Sequence, residues 1–142
     1  MTVSKPLGLI AAIALVTSAR AEVEKVTLNE MPLAKTPIAG VSSAMVSGAM
    51  NAPGAFGANA IMRAGSVFPP HSHPDARMSL VLEGTMYLGI GETVDPGAEQ
   101  AFEAGTLAVT PAGTPHWMVA RDGDVRILEI GTGPTQTDWA AQ

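Results

Sequence analysis

Three histidines carry most of the chemistry this chain can offer, and they stand in two settings. His71 and His73 lie in the run Pro69-Pro70-His71-Ser72-His73-Pro74, and His116 closes the run Pro111-Ala112-Gly113-Thr114-Pro115-His116. In an extended strand, residues i and i+2 share a face and lie about 6.6 Å apart. Two imidazoles at that spacing can converge on one ion at metal–nitrogen distances near roughly 2.0–2.1 Å. The flanking prolines stiffen the backbone and reduce the entropy lost when the ligands are fixed. A His-x-His pair alone is weak evidence, because many such pairs are solvated or merely hydrogen-bonded. Here the one other histidine sits in a similarly rigid turn, which favours a shared metal. Arg77, four residues after His73, is the odd member, a cation where an anionic ligand would be expected.

Short strands must position these residues. Glycine and proline recur roughly every eight to twelve residues, and the segments between them are rich in Val, Ile, Leu, Met and Thr and partly alternating. That pattern predicts an all-β sandwich or barrel. The expected strands are Val41 to Ser47, Phe56 to Arg63, Arg77 to Leu82, Thr85 to Ile90, Thr106 to Thr110, His116 to Arg121 and Val125 to Gly131. Glu83-Gly84 and Asp122-Gly123 are pairs that close tight hairpins, since glycine supplies positive φ without steric cost. Residues 22–40 are polar and interrupted by proline, which fits an extended arm or a first edge strand. The tail from Gly131 is turn-rich, with Trp139 as its one candidate anchor.

The histidine runs resemble the two motifs of the cupin superfamily. The first, Gly, five residues, His-x-His, three or four residues, Glu, six residues, Gly, is matched by Gly65, His71, His73, Arg77 and Gly84, with only the glutamate changed. The second is matched by Gly105, Pro111, Gly113 and His116, and ends on Ala120 instead of asparagine. The resemblance implies a single-domain jelly-roll β-barrel over residues 22–142, with the motifs within residues 65–120. It also implies that His71, His73 and His116 point inward as ligands to one divalent metal (Fe, Mn, Ni, Zn or Cu). The ligand set is similar to that of the acetylacetone-cleaving and thiol dioxygenases. The run His-x-His-Pro-x-x-Arg and the ending Gly131-Thr132-Gly133-Pro134-Thr135 also resemble a group of small exported cupins.

Arg77 cannot replace the glutamate as a ligand, because a guanidinium has no lone pair to donate. It either turns away and pairs with an acid such as Asp75 or Glu83, clamps an anionic substrate at the pocket wall, or occupies the neighbourhood of an absent metal. Asp75 is a further candidate ligand. Tyr87 is a candidate hydrogen-bond donor to a substrate, and Arg77 and Tyr87 are the two candidate catalytic residues. Phe68, Trp117 and the methionines Met62, Met78, Met86 and Met118 are candidate pocket residues, although core packing is the default for each methionine. Three neutral ligands leave room for a small chelating substrate, possible anions included, such as a diketone, hydroxy acid or sugar acid. The rival readings are a binding protein without turnover and a barrel that serves a protein contact.

Composition narrows the choice further. The first residues combine Lys5, an apolar run from Leu7 to Val16 and the sequence Ala19-Arg20-Ala21, the pattern of a signal peptide cleaved after Ala21. The expected mature chain is periplasmic or secreted, with no membrane association after cleavage. Without Lys5 and Arg20 it has 6 basic residues (8 − 2) against 13 acidic ones, a formal charge of −7. Such acidity argues against nucleic acid or an anionic membrane surface as a partner. The absence of cysteine excludes disulfides, thiol catalysis and thiolate ligands. A homodimer is compatible with the resemblance, and nothing in the sequence fixes it.

Overall fold

A computed structural model describes residues 22–141; the leader expected at residues 1–21 lies outside the described residues. Eleven strands are found among the described residues: β1 (Ala34–Lys35), β2 (Val41–Ser47), β3 (Gly54–Met62), β4 (Val67–Ser72), β5 (Arg77–Glu83), β6 (Thr85–Ile90), β7 (Glu99–Glu103), β8 (Leu107–Thr110), β9 (His116–Val119), β10 (Val125–Gly133) and β11 (Asp138–Trp139). They form two antiparallel sheets, β1-β2-β3-β10-β5-β8 and β11-β4-β9-β6-β7. The pairs β3·β10, β4·β9, β5·β8 and β6·β7 are nested, as if one long hairpin had been rolled up. That is the jelly roll.

The expected strands are present, two of them with the expected ends (Val41–Ser47 and Thr85–Ile90) and the others with shifted ones, but the expected hairpins are not. Gly84 joins β5 to β6 and Asp122-Gly123 joins β9 to β10, and in each case the two strands belong to different sheets. These glycines turn corners between layers. Gly84 has φ +78°, and a Cβ there would lie 2.3 Å from the Asp124 carbonyl oxygen. Positive φ serves a corner as well as a hairpin, so the dipeptide alone does not distinguish them.

Residues 22–40 are both arm and edge strand. β1 pairs with β2, and before it a 3-10 turn, Leu28–Glu30, lies against the first sheet, where Asn59 Nδ2 donates to Leu28 O at 2.8 Å. At the other end β11 pairs with β4, with Trp139 opposite His71. Trp139 is therefore an anchor, as expected, through a strand the sequence did not suggest.

Inside the barrel the two-residue period of each strand crosses from an apolar to a polar half. Val125 and Ile127 on β10, Val81 on β5, Met118 on β9 and Met86 on β6 belong to one buried apolar cluster. Continuing on the same faces, β10 presents Glu129, β5 presents Ser79 and Arg77, and β9 presents His116. The apolar half supplies the burial that stabilises the barrel, and the polar half holds the histidines.

Candidate metal centre

His71 and His116 face each other across the β4–β9 ladder, with ring centroids 4.3 Å apart. His73 lies one residue past β4, 4.9 Å from the His71 ring and 5.8 Å from the His116 ring. All three are buried, and each offers a nitrogen such that the three lie within 4.8 Å of one another. The ladder between Phe68 and His71 is irregular where Pro69 and Pro70 stand. Proline cannot donate to a ladder and is accommodated at such irregularities.

Each ring is held from behind by a backbone carbonyl. Nδ1 lies 2.7 Å from Pro69 O in His71, 2.9 Å from Thr114 O in His116 and 2.8 Å from Gln136 O in His73. A carbonyl only accepts, so each Nδ1 carries the proton and each Nε2 keeps a free lone pair, the tautomer a metal ligand requires. His73 Nδ1 is also 3.1 Å from Arg77 Nη2. Because a guanidinium only donates, that contact cannot coexist as a hydrogen bond with the shorter one to Gln136. The Nε2 of His71 is buried and has no hydrogen-bond partner, which is costly unless something coordinates it. The donor set therefore fits a metal ion.

A charged network closes the site on the His73 side. Arg77, only 2 % exposed, donates from Nη1 to Glu129 at 2.5 Å and from Nε to Asp75 at 3.1 Å. Its guanidinium stands 4.9 Å from the Phe56 ring centre. Asp75 also accepts from Thr132 N at 2.8 Å and from the Thr135 hydroxyl. Gly131 leaves room for this, since a Cβ there would meet Asp75 Oδ2 at 2.5 Å and Phe56 at 2.6 Å.

A family model for the cupin domain matches residues 59–131, about half of the chain. The chain belongs to the cupin family. Its fold is similar to that of the polyketide cyclase RemF from Streptomyces resistomycificus, with a TM-score of 0.73 at 17 % identity over 85 % of this chain and 87 % of that one. It is also similar to a cupin-superfamily sugar phosphate isomerase from Silicibacter pomeroyi, with a TM-score of 0.65 at 20 % identity over 84 % and 83 %. A third similar structure is the Cnp3 cupin domain from Schizosaccharomyces pombe, with a TM-score of 0.62 at 14 % identity over 77 % and 74 %. At these identities the likeness is one of fold. No curated protein matches in sequence.

Within this cupin, several expected site residues change place. Arg77 turns away from the Nε2 side and pairs with Asp75, as one reading had it, but its second partner is Glu129. Glu83 instead lies 3.5 Å from Arg126. With its charge matched by two carboxylates, Arg77 does not present a clamp for an anionic substrate, and Asp75 is committed to the same network and is no ligand. Tyr87 is not at the site. It alternates with the buried Met86 and Leu88 on β6, stands on the opposite face, and donates to Asp122 at 2.5 Å. Trp117 likewise faces away from His116, against Gly89, and donates to Glu99 at 3.0 Å. Met62, Met86 and Met118 are core residues and Met78 is exposed. Phe68 does belong to the site, 4.6 Å from the His71 ring.

Burial, opposed by the bond to Pro69 and reinforced by His116, His73 and Arg77, pushes the His71 imidazole down to about 3. Burial also lowers His116, against the bond to Thr114. Folded-state affinities below the unfolded value mean that the unfolded chain binds more protons, so stability is present above about pH 6.5 and lost on acidification. Metal-free protein is expected to lose up to about 1.4 kcal/mol per pH unit through His71 between about pH 6.5 and 5, where most carboxylates stay ionised, with His116 adding in the same direction. Thermal melts of the metal-free protein across that window test this; a flat Tm would contradict it.

Proposed function

We propose that this cupin binds one divalent metal through the Nε2 atoms of His71, His73 and His116 and acts on a small molecule at that ion. The observation that carries the reading is the buried, unpartnered Nε2 of His71 within a cluster whose Nδ1 atoms are all tied to carbonyls. When bound, the metal would supply Lewis-acid or redox chemistry to a coordinated oxygen of the small molecule. The chain's own part is to fix the three imidazoles in one tautomer, keep them dry, and leave the remaining coordination positions to outside ligands. Asp75 and Glu129 are both engaged by Arg77, so neither is a free base in the resting site. That supports chemistry centred on the metal more than proton transfer by a side chain.

Export through the leader at residues 1–21 is part of the same proposal, supported by Lys5, the apolar run and Ala19-Arg20-Ala21. The test is elemental analysis of untagged mature protein together with titration by cobalt followed in the visible spectrum. About one equivalent of bound metal is expected for a mononuclear three-histidine site with open positions, with a spectrum that changes when a small diketone is added. Absence of metal after reloading would refute the reading. Bound metal whose spectrum ignores every small chelator would leave only a storage or structural role.

A further inference from the structure

An apolar groove of about 730 Å³ is bordered by Pro69 and Pro70, the residues that precede His71. Its wall includes Ile38, Val67, Pro69, Val94, Trp139 and Ala140, and its one charged residue is Glu92. It adjoins a smaller cavity of about 180 Å³ that shares Glu92, Trp139 and Ala140 and reaches His71, with Asp138 as a second carboxylate. The Trp139 indole, 53 % exposed, is stacked on Phe68 at 5.6 Å and lies 5.6 Å from the His71 ring. Neither lysine nor arginine lines either space.

We infer that this groove is the binding site for the apolar body of the small molecule, and that the class it takes is uncharged and apolar, with a polar end directed towards His71. A volume of several hundred Å³ with mostly apolar walls is that of a small-molecule site. A half-exposed indole offers a flat face for a ring. Continuity with His71 connects the groove to the metal centre, and on this point the inference rests on the proposed function. Charge decides the class of the part that lies in the groove: Glu92 and Asp138 are the only charged side chains lining the two spaces, the one buried arginine nearby is already matched by Asp75 and Glu129, and the proposed ion, at the His71 end, is the one positive charge left to face the ligand's polar end. An anionic group is therefore disfavoured along the groove, away from the ion.

The test uses two fluorescent probes that differ mainly by one sulfonate, neutral N-phenyl-1-naphthylamine and anionic 8-anilinonaphthalene-1-sulfonate, with the mature protein loaded with cobalt or with zinc. The neutral probe is expected to bind one to one and about tenfold or more tighter than the anion. Trp139→Ala is expected to weaken it by about tenfold, and Val94→Asp, in an exposed loop, to weaken it comparably. Glu92→Lys is expected to tighten the anion, and bound cobalt, unlike zinc, to quench the bound probe. Equal or tighter binding of the anion by the unaltered protein, or indifference to both Trp139→Ala and Val94→Asp, would overturn the inference. So would a bound probe that loaded cobalt does not quench. If cobalt fails to load while the neutral probe still binds in a Trp139-dependent way, the metal reading falls and the groove's ligand class stands.

Discussion

His71→Ala is expected to cost metal affinity on the order of a thousandfold or more, because it removes one of the three proposed ligands and the remaining two cannot enclose the ion. His71 is the best residue to change because it sits at the junction of the ligand set. It faces His116 directly across the ladder and borders the cavity below Trp139. The metal-free protein should respond in the opposite sense. Without an ion, a buried imidazole with an unpartnered Nε2 and a proton affinity held far below its ordinary value is a burden. His71→Phe keeps a ring against Phe68 and removes both nitrogens, so at about pH 5 the metal-free variant should melt no lower than the parent chain, and above it if the desolvation cost exceeds the lost bond to Pro69. Metal titration and melts at two pH values check both halves. Cobalt binding that survives His71→Ala unchanged would remove His71 from the ligand set and the proposed function with it.

The histidine cluster was legible in the sequence because spacing and rigid turns are local properties. His71 and His73 are separated by one residue, and Pro111, Gly113 and Pro115 announce the turn before His116. The strand that carries His71 and leads into His73 was harder to see, since Pro69 and Pro70 argue against a strand interior; they fit because the ladder is irregular there. β7, Glu99 to Glu103, was missed for another reason. Its sequence EQAFE is rich in helix formers, and pairing with β6 overrides that propensity. The two sheet-switching corners at Gly84 and Gly123 depend on which layer the next strand joins, and no dipeptide encodes that. Glu129 was within reach: Val125, Ile127 and Glu129 alternate on one face, so a carboxylate had to enter the barrel. Thr135, Gln136 and Trp139 were not, because the tail meets the histidines only through the fold.

The second large effect concerns the arginine that stands where other cupins carry a glutamate. Arg77→Met is expected to destabilise the protein by about 3–5 kcal/mol, the usual cost of removing one partner from a buried ion pair, and to lower Tm by roughly 10–20 °C for a domain of this size. The cost arises at Glu129 more than at Asp75. Asp75 retains Thr132 N and the Thr135 hydroxyl; burial works to raise its proton affinity, but these bonds and Arg77 together hold it below the usual carboxylate range. Glu129 has Arg77 as its ion-pair partner and would be left charged in a largely enclosed space. Adding Glu129→Gln to Arg77→Met should therefore recover part of the loss, and a double-mutant cycle measures how much. Arg77→Glu, which restores the family's residue, should be the worst single change, because it places a third carboxylate beside Asp75 and Glu129. The family pattern thus cannot be restored at one position: the carboxylate on β10 and the arginine on β5 compensate each other. An Arg77→Glu protein that melts as high as the parent would show that the pair contributes nothing to the fold.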